Sequence, residues 1–289
     1  MSAPLLEAAG LTKVFGSTTA ADDVSFEVCP GEVVGLLGAN GAGKTTVIRM
    51  LLGLLRPTSG RAELLGTSPS LTTRRELGYV PQGLGLYQEL TVAENLAFSA
   101  QAYGAEPAEL TGTLADAADR QLNGLPLGLQ RQLAFLCALA HTPRVLVLDE
   151  PTSGVDPLAR ARLWNTVREQ ADRGVAVLVT THYMQEARQC DRLLLMSRGL
   201  VVGRGSEADI VGDTAVVLVE TSAWEQAFSA LDAAGLPVTL AGTAVRVVGA
   251  TPEHVALVLQ DAGVDGRPRP VTATIDERMV LLATAHTAP

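Results

Sequence analysis

The chain has 289 residues, 47% of them hydrophobic, and its 22 Lys plus Arg against 31 Asp plus Glu leave a formal net charge of −9. An acidic balance without a basic run argues against nonspecific nucleic-acid binding, which relies on Lys and Arg neutralising phosphates. Mean hydropathy is +0.23, yet no apolar run nears the ~20 residues needed to cross a bilayer.

The length allows one large domain and a smaller one. Met1-Ser2-Ala3-Pro4 lacks the basic start and apolar stretch of a signal peptide. Cys29, Cys137 and Cys190 stand in no metal-ligand or CxxC spacing, so they are expected as reduced core residues of a cytosolic protein.

Residues 5–28 alternate apolar and polar positions, as strands do, up to the turn at Pro30-Gly31. Val33–Leu37 reads as a buried strand and Val47–Leu52 as a helix, expected to stop near Arg56-Pro57-Thr58-Ser59-Gly60. Between them lies Gly38-Ala39-Asn40-Gly41-Ala42-Gly43-Lys44-Thr45-Thr46. Glycines let the backbone bend so that its N–H groups converge on β- and γ-phosphates, and the helix start adds partial positive charge. Lys44 supplies a full charge and the Thr45 hydroxyl is placed to ligate Mg²⁺. This loop is built to hold a nucleoside triphosphate.

Gly78-Tyr79-Val80-Pro81-Gln82 predicts a short strand running into a loop, and Thr91 and Glu94 predict a capping box at a helix start. A helix is expected over Gln130–Ala140, then a buried strand Val145-Leu146-Val147-Leu148-Asp149-Glu150 ending in two carboxylates. A helix over 157–172, a strand Val175–Thr180 and a helix over 183–189 complete an alternating order, which implies a mostly parallel sheet with phosphate chemistry at the strand C-termini. After Gly205 the texture changes. Strands at Val216–Glu220, Val238–Leu240, Val245–Val248 and around Val271, with helices at Ala223–Ala234, from Pro252, and at Thr274–Ala283, give the β-α-β-β-α-β order of a ferredoxin-like arrangement.

Over roughly residues 5–205 these ordered features resemble the ATP-binding cassette (ABC) ATPases. Gly38–Thr45 matches the Walker A loop, Gln82 the loop glutamine, Val145–Asp149 Walker B, Ser153–Asp156 the D-loop, and His182 the switch histidine. The short interval between Lys44 and Asp149 disfavours the chromosome-maintenance ATPases, whose coiled coils separate the two halves widely. The resemblance implies an α/β fold of the P-loop ABC-ATPase type: a mostly parallel core sheet, an antiparallel N-terminal subdomain and a helical subdomain at about 83–141. A nucleotide-binding domain over 1–206 would then precede a small α+β domain over 207–289.

Expected nucleotide contacts are Gly38, Asn40, Gly41, Ala42, Gly43, Lys44, Thr45 and Thr46, with Phe15 stacking on adenine and Asp156 and Gly128 joining from the D-loop and signature. Thr45, Gln82 and Asp149 are the expected Mg²⁺ ligands. Glu150 is expected to polarise the attacking water as general base, His182 to bond the γ-phosphate, and Gln82 to report on it. In this family a signature loop from a second nucleotide-binding subunit completes each ATP site, so a dimer is implied.

The signature departs from the family's Leu-Ser-Gly-Gly-Gln. Aligned through Arg131-Gln132-Leu133, the chain has Leu125-Pro126-Leu127-Gly128-Leu129, losing the serine hydroxyl and one backbone donor. Weaker trans activation is expected. The stretch from Tyr103 to Leu125 is about a helix shorter than the family norm. With Thr152-Ser153-Gly154-Val155-Asp156-Pro157 and Thr181-His182-Tyr183-Met184, the relaxed loop is similar to a branch of ABC-2 type efflux ATPases. That resemblance implies an exporter subunit, peripheral on the cytoplasmic face of the membrane, docked through Glu89–Leu96 on a separate integral permease. A soluble, non-transporting ABC ATPase and a weakly hydrolysing half of a heterodimer are the alternatives.

Overall fold

Alternating apolar positions fold residues 6–28 into an antiparallel pair, β1 (Leu6–Phe15) and β2 (Thr18–Val28). The computed structural model describes residues 3–285, so Met1 and Ser2, on which part of the signal-peptide reading falls, lie outside the described residues. β3 (Val33–Leu37), buried at every position, runs through the glycine loop into α1 (Lys44–Leu51). That helix stops before the expected Arg56–Gly60 turn. Gly53, at φ +66, ends it with an N–H bond to the Met50 carbonyl, and Ser59 and Gly60 instead begin β4 (Ser59–Leu64). β4 pairs with β1 to give an antiparallel sheet of order β2-β1-β4.

A single turn, α2 (Leu71–Arg74), leads to β5 (Leu77–Val80). α3 (Val92–Tyr103) starts at the expected capping box, with Thr91 Oγ1 accepting from the Glu94 N–H at 3.2 Å and Glu94 Oε2 accepting from the Thr91 N–H at 2.8 Å. Between Tyr103 and Pro126 the chain forms α4 (Gly112–Ala115) and a 3₁₀ turn at Leu122–Gly124. α5 (Leu127–Leu139) begins three residues before the expected Gln130, directly after Pro126.

β6 (Val145–Asp149), α6 (Pro157–Asp172) and β7 (Ala176–Thr181) fall where expected. The helix expected over 183–189 is instead a 3₁₀ segment, Met184–Gln189, with no side-chain cap to start an α-helix. The sequence reading missed β8 (Arg192–Ser197) and β9 (Leu200–Gly205), joined by a two-residue turn in which Arg198 and Gly199 both take positive φ.

The central sheet has the order β5-β6-β7-β3-β8-β9, and its successive pairs from β5 to β8 are parallel. Leu36, Ile48, Leu51, Val147 and Leu178 share one core, while Val33, Val80, Leu146, Trp164 and Val177 share a second. Each fully buried leucine or isoleucine there contributes about 1.5–3 kcal/mol. Parallel order brings the ends of β3, β5, β6 and β7 to one edge, with the glycine loop, Gln82, Asp149-Glu150 and His182 just beyond them.

The chain divides into two compact units, Met1–Gly203 and Arg204–Pro289. In the second, α7 (Glu207–Val211), which sequence reading missed, precedes β10 (Val216–Glu220), α8 (Trp224–Ala233), β11 (Val238–Ala241), β12 (Ala244–Val248), α9 (Pro252–Asp261), β13 (Arg267–Val271) and α10 (Ile275–Ala285). Its sheet is antiparallel throughout, in the order β11-β12-β10-β13, which is the ferredoxin-like topology. Ala227, Leu231, Val255 and Leu259 of α8 and α9 cover Val217, Val219, Val245 and Val247. β13 is an edge strand carrying Pro268 and Pro270. Cys29, Cys137 and Cys190 are all reduced thiols; Cys137 is buried, Cys190 is partly covered and packs against the second core, and Cys29 is only partly covered.

Candidate nucleotide site

The loop between β3 and α1 turns on glycines whose replacement would cause collisions. A Cβ at Gly38 would lie 2.4 Å from the Met196 carbonyl oxygen, and one at Gly43, at φ +102, only 2.2 Å from that of Ala20. Asn40, Gly41, Ala42, Gly43, Lys44, Thr45 and Thr46 line a cavity of 240 Å³ together with Ala20, Gln82 and Glu150. The Lys44 ammonium is buried beside it, donating to the carbonyls of Gly38 at 2.7 Å and Ala39 at 3.2 Å and lying 3.5 Å from Glu150 Oε1. A buried cation at a helix start is an anion site.

Asp149, at the end of β6, is 1% exposed, and each of its oxygens accepts a hydroxyl hydrogen bond. Thr45 Oγ1 donates to Oδ2 at 3.0 Å and Thr180 Oγ1 to Oδ1 at 2.6 Å. Burial, and then the Asp149 charge, push the Tyr79 hydroxyl up to about 12. Glu150 takes φ +51, a left-handed conformation that costs of order 1–3 kcal/mol in a non-glycine residue. Its N–H is held there by the Thr180 carbonyl at 3.2 Å and hydroxyl at 3.0 Å. The Glu150 carboxylate accepts from Gln82 Nε2 at 3.4 Å and lies 3.1 Å from His182 Nδ1, off the line of a hydrogen bond.

The structure therefore brings together Lys44, Thr45, Gln82, Asp149, Glu150 and His182. The candidates Gly38, Phe15, Asp156 and Gly128 do not line the cavity. Phe15 is half exposed at the end of β1, with the Lys13 ammonium 5.1 Å from its ring centre. Asp156 caps α6, its Oδ1 accepting from the N–H groups of Leu158 and Ala159 at 3.0 Å. Gly128 sits against that cap, where a Cβ would lie 3.6 Å from Ala159 Cβ and 3.7 Å from Asp156 Oδ2.

Thr180, which bonds the Asp149 carboxylate and the Glu150 N–H, was missed as a site residue, although it lies in a buried strand two positions before His182. Also missed was a buried brace beyond His182. Thr152 Oγ1 donates to Glu186 Oε1 at 2.5 Å, Arg160 Nε approaches the same oxygen at 3.6 Å, and the Arg160 guanidinium lies over the Tyr183 ring at 4.7 Å.

The residues present fit a magnesium nucleotide. Loop amides and Lys44 suit phosphate oxygens, and a carboxylate beside a hydroxyl is the sparse all-oxygen set of Mg²⁺, which keeps most of its shell for water and phosphate. Among the described residues no three His, Cys, Asp or Glu side chains converge as a protein-only metal cage.

The ABC transporter family model matches residues 21–153. Over 219 residues the chain is 39% identical to the Nod factor export ATP-binding protein I of Rhizobium sp. (strain N33), covering 71% of this chain and 72% of that protein. The chain belongs to the ABC transporter ATP-binding family. The cassette is also 43% identical over 237 residues to the probable multidrug ABC transporter ATP-binding protein YbhF of Escherichia coli (strain K12), covering 78% of this chain but only 41% of that protein's length. The solved structure of an ATP-binding subunit of an ABC transporter superposes with a TM-score of 0.64 at 31% identity, covering 71% of this chain and 91% of that chain. The fold is thus that of the P-loop ABC ATPases. Among the described residues no helix is long and apolar enough to cross a membrane.

Proposed function

We propose that this cassette hydrolyses Mg·ATP to power export of a small molecule through a separate ABC-2 type permease. One observation carries the reading: a buried lysine, a hydroxyl–carboxylate pair and a strained glutamate converge beside one cavity. Lys44 and the loop amides bind the β- and γ-phosphates. Thr45 and Asp149, with Gln82, hold the metal, which when bound supplies charge neutralisation at the phosphate oxygens. Glu150 accepts a proton from water as its oxygen attacks the γ-phosphorus, and the bond from that phosphorus to the bridging oxygen breaks to release ADP. His182 lies beside Glu150 and steadies the transferring group.

Export is suggested by the relatives, one a probable multidrug ABC transporter ATP-binding protein and one a Nod factor export ATP-binding protein. Permease docking is supported by exposed aromatics beside Glu89–Leu96: Tyr87 and Phe98 are each half exposed and meet edge to face at 4.9 Å. Rings of this kind are frequent interface anchors. The cassette would then sit on the cytoplasmic face of the membrane, paired with a second nucleotide-binding subunit, with the C-terminal unit serving dimer contact or regulation. Pull-down from membranes should recover an integral protein with the cassette. A purified chain that binds no adenine nucleotide in the presence of magnesium overturns the reading.

A second reading, the weakly hydrolysing half of a heterodimer, is favoured by the signature. Pro126 is the N-cap of α5, and the helix start has no side-chain cap bond. A serine hydroxyl that could reach a partner's phosphate is therefore missing.

A further inference from the structure

Arg131 lies on α5, one turn beyond Gly128, and is only 4% exposed. A guanidinium carries five N–H donors, and burying them without acceptors is costly. Here Nε and Nη1 have no hydrogen-bond partner, and Nη2 reaches only the Ser153 carbonyl, at 3.5 Å. Burial pulls the Arg131 pKa down, while the Glu150 carboxylate is near enough to push it back up. Ser153 in turn donates its N–H to the Glu150 carbonyl at 3.2 Å, so the guanidinium is linked through one residue to the glutamate assigned as base, with donors to spare.

The backbone around it is tightly fitted. A Cβ on Gly154 would lie 2.9 Å from Leu127 Cδ2, and one on Gly128 would come within 3.6–4.0 Å of Ala159, Asp156 and Val155. The first turn of α5 and the segment that follows Glu150 therefore move together or collide.

We infer that Arg131 is a positioning residue that couples the helix serving a partner's nucleotide to the glutamate serving this chain's own. The inference rests on the reading of two cassettes sharing their ATP sites. When α5 is drawn towards a partner's phosphate, the guanidinium shifts with it, spends its unused donors on Ser153 and Glu150, and fixes the carboxylate for its water. A residue that merely filled space would not need a charge whose donors stand idle.

The test compares the full chain with Arg131→Met and Arg131→Lys, measuring ATP affinity, KM, kcat and the Hill coefficient, with circular dichroism to confirm folding. For R131M the expected result is ATP affinity within about a factor of two, kcat lower by about tenfold or more, and loss of cooperativity. R131K, which keeps the charge but not the fork, should recover part of kcat and remain folded even if R131M does not. A folded R131M or R131K with unchanged kcat and cooperativity overturns the inference alone. An unaltered chain with no magnesium-dependent turnover overturns the functional reading and this inference with it.

Discussion

The Thr45 hydroxyl donates to Asp149 Oδ2 across 3.0 Å, joining the first turn of α1 to the end of β6 over a separation of 104 residues. The bond places a phosphate-side hydroxyl and a buried carboxylate in direct contact before any metal is considered. Replacing Asp149 by Asn keeps the shape but removes the charge. D149N should weaken the magnesium dependence of nucleotide binding and lower turnover by about a hundredfold or more, read as ATPase activity against magnesium concentration. Unchanged magnesium dependence would place the metal elsewhere.

Glu150 is assigned as the base because its carboxylate stands at the cavity while its strained backbone is pinned by Thr180. Glu150→Gln should reduce turnover by about 10²–10⁴-fold. ATP binding, followed by equilibrium dialysis, and ATP-driven dimerisation, followed by size-exclusion chromatography, should persist. Turnover that survives the change removes the glutamate from the chemistry.

The signature can be restored. Exchanging Pro126 for Ser and Leu127 for Gly returns a hydroxyl, a backbone N–H and freedom for close approach at the start of α5. Steady-state ATPase activity should rise several-fold, by about 1 kcal/mol of barrier. No rise would mean that the relaxed loop does not limit the rate.

In the C-terminal unit, Arg246 Nε and Nη2 hold Glu277 at 2.5 and 3.0 Å, and the Thr274 N–H adds a bond at 2.8 Å. Burial alone would raise the Glu277 carboxyl, but the Arg246 and Thr274 bonds outweigh it and hold it below 4.5. A carboxyl lowered on folding stabilises the fold above its unfolded value, and that stability is lost as pH falls through the lower folded value. Thermal melts should thus show an acid-dependent loss below about pH 4.5 that E277Q abolishes, with E277Q less stable than the unaltered chain at neutral pH. Parallel pH profiles for the two proteins would reject this account.

Much of the site was legible because its chemistry sits in contiguous runs. Val33–Thr46 and Val145–Glu150 each announce a strand and its functional end, and the structure brings those ends to one edge. Thr180 and Arg131 were hidden for the opposite reason: their partners lie far off in the chain, and neither belongs to a run that demands an anion or a base. In the fold, β8 and β9 escaped because Leu193–Met196 is a short apolar run without alternation, and the positive φ at Arg198 is not written in an arginine. The 3₁₀ segment after His182 read as a helix because composition does not distinguish an uncapped six-residue turn from the start of an α-helix. Asp156 was assigned to the nucleotide, yet in this chain its carboxylate is engaged as the cap of α6.

The prolines of β13 bear on how the C-terminal sheet meets other strands. Pro268 and Pro270 stand opposite Val219 and Val217 on the inner side, so their missing N–H groups fall on the outer rim, where a newcomer would look for donors. That rim keeps its carbonyls but lacks those donors, which blunts accidental stacking of one molecule upon another. Lateral growth of this sheet is left to β11 alone, and a chain of sheets needs two receptive borders.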